Sequence, residues 1–229
     1  MLLIFVGDRG AGKTTIAQSV YSELQKRKIH YINGRTVHRD RLSFSLKFYY
    51  AIYLWKFFDR QIFNFYFNFF RRNLLWHIKT MSLSRLYFLL IFSYHLKHME
   101  DKENNILIYD HDMISWFGDG VLPQDFSVSN LRDFYTHVIL SKVDRLIVVR
   151  VNTPSSLSTY RWCKRENASL PVTETKAWRA DQDVWKQVAH WIIQALSGMS
   201  KAVVITVDGA DDPKTNALYI IKKINAFLS

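Results

Sequence analysis

Leu2-Leu3-Ile4-Phe5-Val6-Gly7-Asp8-Arg9-Gly10-Ala11-Gly12-Lys13-Thr14 joins a short, unbroken apolar run to a glycine-rich turn that ends in a lysine and a threonine. An apolar run without alternation predicts a strand covered on both faces. From Gly7 onward the residues match G-x-x-x-x-G-K-[ST] at every fixed position. Ile16, Val20 and Leu24 then recur at helical spacing within Thr15–Lys28. Strand, glycine turn and helix thus stand in the order that a phosphate-binding loop requires.

The chemistry behind this spacing is close approach of backbone to an anion. Glycines accept φ > 0 and carry no Cβ, so the amides of Gly7, Asp8, Arg9, Gly10, Ala11, Gly12, Lys13, Thr14 and Thr15 can converge on phosphate, helped by the helix N-terminus. Lys13 reaches the phosphates as a point charge, and the Thr14 hydroxyl is placed to ligate Mg²⁺. A second apolar run, Ile106–Tyr109, ends in Asp110, which is how a strand delivers a carboxylate to magnesium beside such a loop. Asp112 is the reserve acid, and His111 reads as readily as a surface imidazole.

Arg145–Val151 predicts a further strand, and Thr153-Pro154 predicts an N-cap with proline at the first helical position. The helix that follows carries Arg161, Lys164 and Arg165 at i, i+3 and i+4, on one face; cations there can clamp a transferred phosphoryl group when a lid closes. Lys176 and Arg179, in the polar stretch to Asp181, are weaker versions of the same idea, and 155–180 reads as a lid-like region. Asp183–Leu196 predicts an amphipathic helix with Val184, Val188, Trp191 and Ile192 inward. Ala202–Val207 predicts a last strand, Asp208–Pro213 a turn, and Thr215–Leu228 a last helix. With Ile29–Ile32 as a strand, five strands alternate with helices. The expectation is a single α/β domain over 1–229, a three-layer P-loop NTPase fold with a five-stranded parallel sheet and its ligand at the strands' C-terminal ends.

Composition narrows the remaining possibilities. Eight Gly, four Pro and one Cys in 229 residues disfavour collagen and disulfide scaffolds. Lone Cys163 can form no internal disulfide, which suits a reducing, cytoplasmic setting. The N-terminal apolar run lacks a basic region before it and reads as a strand, not a leader. Basic residues number 31 against 20 acidic, a net charge of +11. Residues 41–99 hold nine of the basic residues and one acid, Asp59, together with 19 of the 35 aromatics and neither Gly nor Pro. That segment is expected to be an inserted helical element that meets something anionic. Its longest uncharged runs, Phe48–Trp55, Gln61–Phe70 and Leu86–Leu96, fall short of the about 20 residues of a spanning helix.

With these motifs in this order the chain resembles the nucleoside and nucleotide kinases of the P-loop superfamily, most closely the thymidylate-kinase group. Gly7–Thr14, Ile106–Asp112, Val148–Arg165 and Val204–Pro213 take the places of that group's phosphate loop, acid-ending strand, lid and adenine loop. The resemblance implies an ATP- and Mg²⁺-dependent phosphotransferase with a small-molecule acceptor, a nucleoside or nucleotide first and a sugar-type molecule second. It implies that Lys13 and Thr14 bind phosphate and Mg²⁺, that Asp110 lies by the metal, that Arg161 and Arg165 belong to the lid, and that Ala210 and Pro213 lie near adenine. The chain departs from the group at three places. Asp110-His111 replaces Asp-Arg, Arg9 stands where many relatives carry an acid, and Asn33-Gly34-Arg35-Thr36 replaces an Arg-Glu-Pro-Gly-Gly stretch. Arg35 and Arg85 are the candidates for the missing cation.

In the 41–99 segment Phe44, Phe48, Ala51, Trp55 and Phe58 follow helical spacing, as do Leu83, Leu86, Leu90 and Tyr94. These stripes read as core packing or a homodimer face, or as an aromatic lining that stacks on a base or sugar. Lys56, Arg60, Arg71 and Arg72 among Tyr53, Trp55 and Trp76 also suit peripheral contact with an anionic membrane. Nucleic acid ranks below these because no recognition motif accompanies the charge. A nucleotide-dependent switch or ATPase that phosphorylates nothing is the alternative function. Asp8 and Asp112 are the acids nearest the phosphate and metal elements.

Overall fold

All five side chains of β1 (Leu2–Val6) are buried, and the rest of the sheet is arranged around that strand. β3 (Ile106–Tyr109) pairs with it on one side and β4 (Leu146–Asn152) on the other, both parallel. β2 (Tyr31–Asn33) lies outside β3 and β5 (Ala202–Asp208) outside β4, again parallel, giving the order β2-β3-β1-β4-β5. The computed structural model describes residues 1–34, 52, 55–64, 83–100, 105–110, 127–166 and 176–228. The positions named above at 35, 44, 48, 51, 53, 71, 72, 76, 111 and 112, and the side chains at 83, 85, 86, 176 and 179, lie outside the described residues.

Alternation along the strands splits the core into two layers. Leu3 and Phe5 of β1, with Ile106, Ile108, Ile147, Val149, Ile205 and Val207, pack against α1 (Lys13–Lys26) and α6 (Pro213–Leu228). Leu2, Ile4 and Val6, with Leu107, Leu146 and Val148, face α2 (Leu83–Glu100), α3 (Val128–Phe134) and α5 (Lys176–Leu196). Another helix, α4 (Ser155–Glu166), follows β4. This is the three-layer P-loop architecture expected from the sequence. Among the described residues no helix is long and apolar enough to cross a membrane.

Two elements depart from expectation. α5 begins at Lys176, not Asp183, because a helix once nucleated extends through residues with no inward stripe. α3 and the π-helical turn after it, Tyr135–Ile139, were not expected. Ser127 caps α3 by accepting from the Asn130 amide, and Leu131, Phe134, Tyr135 and Val138 are buried at helical spacing. In the 41–99 segment Asp59 accepts from the amides of Gln61 and Ile62 and pairs with Lys142 at 2.9 Å. The segment's single acid is therefore engaged by a cap and a cation from beyond it.

The connection from β1 runs toward β2 and that from β4 toward β5, in opposite directions, so a crevice opens beyond the C-terminal ends of β1 and β4. α1 is anchored at its far end by a Schellman turn, in which the Ile29 amide donates to Leu24 O and the Lys28 amide to Gln25 O, both at 3.0 Å. Lys28 closes that turn with φ 56°, a left-handed conformation that costs a side-chain-bearing residue about 1–2 kcal/mol. Glycine removes this strain but loosens the unfolded chain by about 0.4–1 kcal/mol, so the strain term wins. Lys28→Gly is expected to stabilise by about 0.5–1 kcal/mol and to raise the thermal midpoint by about 1–4 °C, as read by calorimetry; a lower midpoint refutes the assignment.

Candidate functional site

The turn from β1 into α1 is held open by backbone geometry that only glycine tolerates at its crest. Gly10 has φ 78° and its Cα lies so close to α4 that a Cβ there would overlap the carbonyl oxygen of Ser158. Gly12, with φ 96°, ends the loop and starts α1. The loop is bolted from outside by the Thr153 hydroxyl, which donates to Ala11 O at 2.9 Å. Thr153 is thus a brace and not the N-cap expected for α4; the helix begins at Ser155, and the Ser158 amide donates to Pro154 O.

Lys13 is the first residue of α1 and only 6% exposed. Its ammonium donates to Gly7 O at 2.5 Å and Asp8 O at 2.7 Å, drawing the loop into a ring. Thr14 Oγ1 donates to Asp110 Oδ2 at 2.8 Å, and Asp110 is buried. This bond joins the start of α1 to the end of β3 across 96 residues of chain. Hydroxyl and carboxylate are hard oxygen donors suited to Mg²⁺, which takes few protein ligands and completes its shell with phosphate and water. Among the described residues no group of three or more His, Cys, Asp or Glu side chains could hold a metal, so a cation here depends on Thr14, Asp110 and a phosphate ligand. Thr15 is exposed at the third position of α1.

The lid candidates separate. Arg161 is half-buried, and its guanidinium donates to Gly209 O at 2.7 Å while lying beside Gly12. Lys164 and Arg165 are exposed on α4. Gly209 in turn donates to Asn152 O at 2.7 Å, the Ala210 amide to Asp208 Oδ1 at 2.8 Å, and Asn216 Nδ2 to Asp208 O at 2.7 Å. The turn carrying Ala210 and leading into Pro213 is therefore fixed against both β4 and α6, and Arg161 ties α4 to it.

Sequence reasoning placed α5 but missed its approach to the loop. Trp185 sets its ring 5.5 Å from the Lys13 ammonium and 5.3 Å from the Arg9 guanidinium, and Lys186 donates to Ser155 Oγ at 3.2 Å. Lys186 was hidden because it falls opposite the inward stripe Val184, Val188, Trp191 and Ile192, and Trp185 because, at that stripe's edge, it reads as one more core residue. Beside them is a cavity of about 550 Å³ lined by Gly7, Asp8, Arg150, Asn152, Ser155 and Lys186 among others. Burial pushes the Asp8 carboxyl above its ordinary value, against the pull of Lys186, Lys13 and Arg150.

No family model matches the chain, and no curated protein matches it. Among solved structures it is similar to deoxyadenosine kinase from M. mycoides with dCMP and dCDP bound, at 19% identity and a TM-score of 0.49 over 99% of this chain and 100% of that one. It is similar also to shikimate kinase from Acinetobacter baumannii in complex with shikimate, at 14% identity and a TM-score of 0.46 over 98% and 93%. Shikimate kinase from Bacteroides thetaiotaomicron gives 12% identity and a TM-score of 0.38 over 98% of each chain.

A carboxyl whose folded value lies above its unfolded one costs stability when ionised; the cost is full above the folded value and disappears as pH falls toward the ordinary 3.8. Asp8→Asn is therefore expected to raise the thermal midpoint at neutral pH, with the gap to the parent closing as the pH is lowered toward 3.8. A lower midpoint for the variant at neutral pH would contradict this.

Proposed function

We propose that the chain is an ATP- and Mg²⁺-dependent phosphotransferase acting on a small molecule. The observation that carries this reading is the meeting of Lys13, Thr14 and Asp110 at one point, with the Thr14 hydroxyl 2.8 Å from the Asp110 carboxylate. In this reading the amides of the loop cradle the polyphosphate, and the Lys13 ammonium leaves the carbonyls of Gly7 and Asp8 for phosphate oxygens. Thr14 and Asp110 are the residues that would hold Mg²⁺, which would supply neutralisation of the charge developed in phosphoryl transfer. Arg161 orders the turn that carries Ala210 and Pro213 next to the adenine, and Arg165 supplies lid charge when α4 moves. Catalysis on this account is positioning and charge neutralisation. A nucleoside or nucleotide acceptor rests on the order of motifs alone.

A nucleotide-dependent switch is the second reading, favoured by the contact of Trp185 with Lys13: any ligand that withdraws Lys13 also alters α5. In the 41–99 segment, Ile52, Trp55 and Phe58 are exposed beside exposed Lys56 and Arg60. This supports peripheral contact with anionic lipid over a homodimer face, since a like-charged patch repels its own copy across a two-fold axis.

Incubation with γ-labelled Mg-ATP and a panel of nucleosides, nucleotides and sugars is expected to place label in an organic product, with Lys13→Ala lowering turnover by about 10²–10³-fold. Release of label only as inorganic phosphate across the panel would replace the transferase by the switch.

A further inference from the structure

The cavity next to the loop is not used by the nucleotide in the reading above. It opens at the crevice between the C-terminal ends of β1 and β4 and is walled by Asp8, Arg150, Asn152, Lys186, His190 and Asp208. Three features define what it can take. It abuts the point where the transferred phosphate would be held, because the backbone carbonyl of Asp8 accepts from the Lys13 ammonium at 2.7 Å. Two permanent cations, Arg150 on β4 and Lys186 on α5, come from different walls, which is the arrangement that receives an oxyanion. Among the described residues its lining holds no Phe, Tyr or Trp and a single ring, the exposed His190 imidazole, while the neighbouring Trp185 has its ring against the cations of Lys13 and Arg9. Hydroxyl groups, by contrast, would find Asn152, Ser155 and Asp8 on several sides.

We infer that this cavity is the acceptor site and takes a compact hydroxylated molecule bearing a carboxylate or phosphate group, with Arg150 and Lys186 on its anion and Asp8 on the hydroxyl that is phosphorylated. This assignment rests on the phosphotransferase reading. In the step, the acceptor oxygen forms a bond to the γ-phosphorus of ATP, and the bond from that phosphorus to the β,γ-bridging oxygen breaks with its electron pair leaving on ADP. The hydroxyl proton passes to the Asp8 carboxylate. A cavity of about 550 Å³ is within the size range of small-ligand sites. The charged and titratable groups facing Asp8 are Lys13 of α1, Arg150 of β4, Asp183, Lys186 and His190 of α5 and Asp208 of β5. Burial outweighs its three cationic neighbours and raises its proton affinity, as a general base requires.

The test is γ-phosphate transfer from labelled Mg-ATP to four acceptor groups: hydroxy acids, sugar phosphates, neutral sugars and nucleosides. Label is expected in the hydroxy acid or the sugar phosphate arm, and the arm that reacts identifies the anion. Lys186→Gln and Arg150→Gln are expected to raise the acceptor KM by about 10–100-fold while calorimetry gives an ATP Kd within about twofold of the parent. Asp8→Asn is expected to lower kcat by about 10²-fold or more and to abolish the acid limb of its pH profile, with an unchanged circular dichroism spectrum. Transfer to a nucleoside or neutral sugar with a KM indifferent to Lys186→Gln overturns the assignment and leaves the phosphotransferase standing. Inorganic phosphate as the sole labelled product in every arm removes both.

Discussion

A loop whose amides point inward at an anion has few of them left to hold itself together. That constraint organises the whole upper edge of the sheet. Within the loop the Ala11 amide donates to Asp8 O at 3.2 Å, and the further braces come from outside: the Thr153 hydroxyl on Ala11 O, the close approach of Gly10 to the Ser158 carbonyl, and the Thr14 hydroxyl on Asp110. Each brace belongs to a different strand end or helix start. The loop is consequently shaped by β3, β4 and α4 as much as by its own residues. Lys13 closes the ring from within, using two carbonyls that the glycine geometry turns toward it.

The electrostatics of this arrangement favour exchange. An ammonium held by two neutral carbonyls and an aromatic ring has partners that a phosphate oxygen outcompetes, since the phosphate sets a full negative charge against the cation where a carbonyl offers only a dipole and a cation–π contact contributes about 0.5–2 kcal/mol. Under the proposed function, arrival of a polyphosphate would release the contact between Lys13 and Trp185 and so reach α5. Asp8 stands at the hinge of this exchange, with its carbonyl on the Lys13 side and its carboxyl on the cavity side. One residue thereby touches both the Lys13 ammonium and the polar cavity.

Asp59 shows how an otherwise cationic segment is secured. Burial works to raise its carboxyl, but the hydrogen bond from Lys142 and those from the amides of Ile62 and Gln61 prevail and hold it below the ordinary value. Its charge is directed toward Lys142, a cation from outside the segment. Buried Phe63 packs against exposed Phe58 at a ring separation of 4.3 Å, which anchors the exposed ring to the layer beneath.

Sequence by itself determined the sheet and its most specific loop. Leu2–Val6, Ile106–Tyr109 and the strand from Leu146 are unbroken apolar runs, because a strand covered on both faces has no polar side to show, and the lysine and threonine of the loop follow from spacing that phosphate geometry demands. The acid at Asp110 was legible too, since it ends such a run. The sequence left α3 unrecognised although Ser127 and the spacing of Leu131, Phe134, Tyr135 and Val138 announce it, because two weak local signals were outweighed by the flanking polar stretch. Only the tertiary structure decided that Thr153 braces the loop instead of capping a helix, that Arg161 turns inward to Gly209 while Arg165 stays outside, and that Trp185 and Lys186 face the phosphate loop. Helical periodicity reports which side of a helix meets the apolar core, but it carries no information about a polar partner approaching the opposite side from another strand.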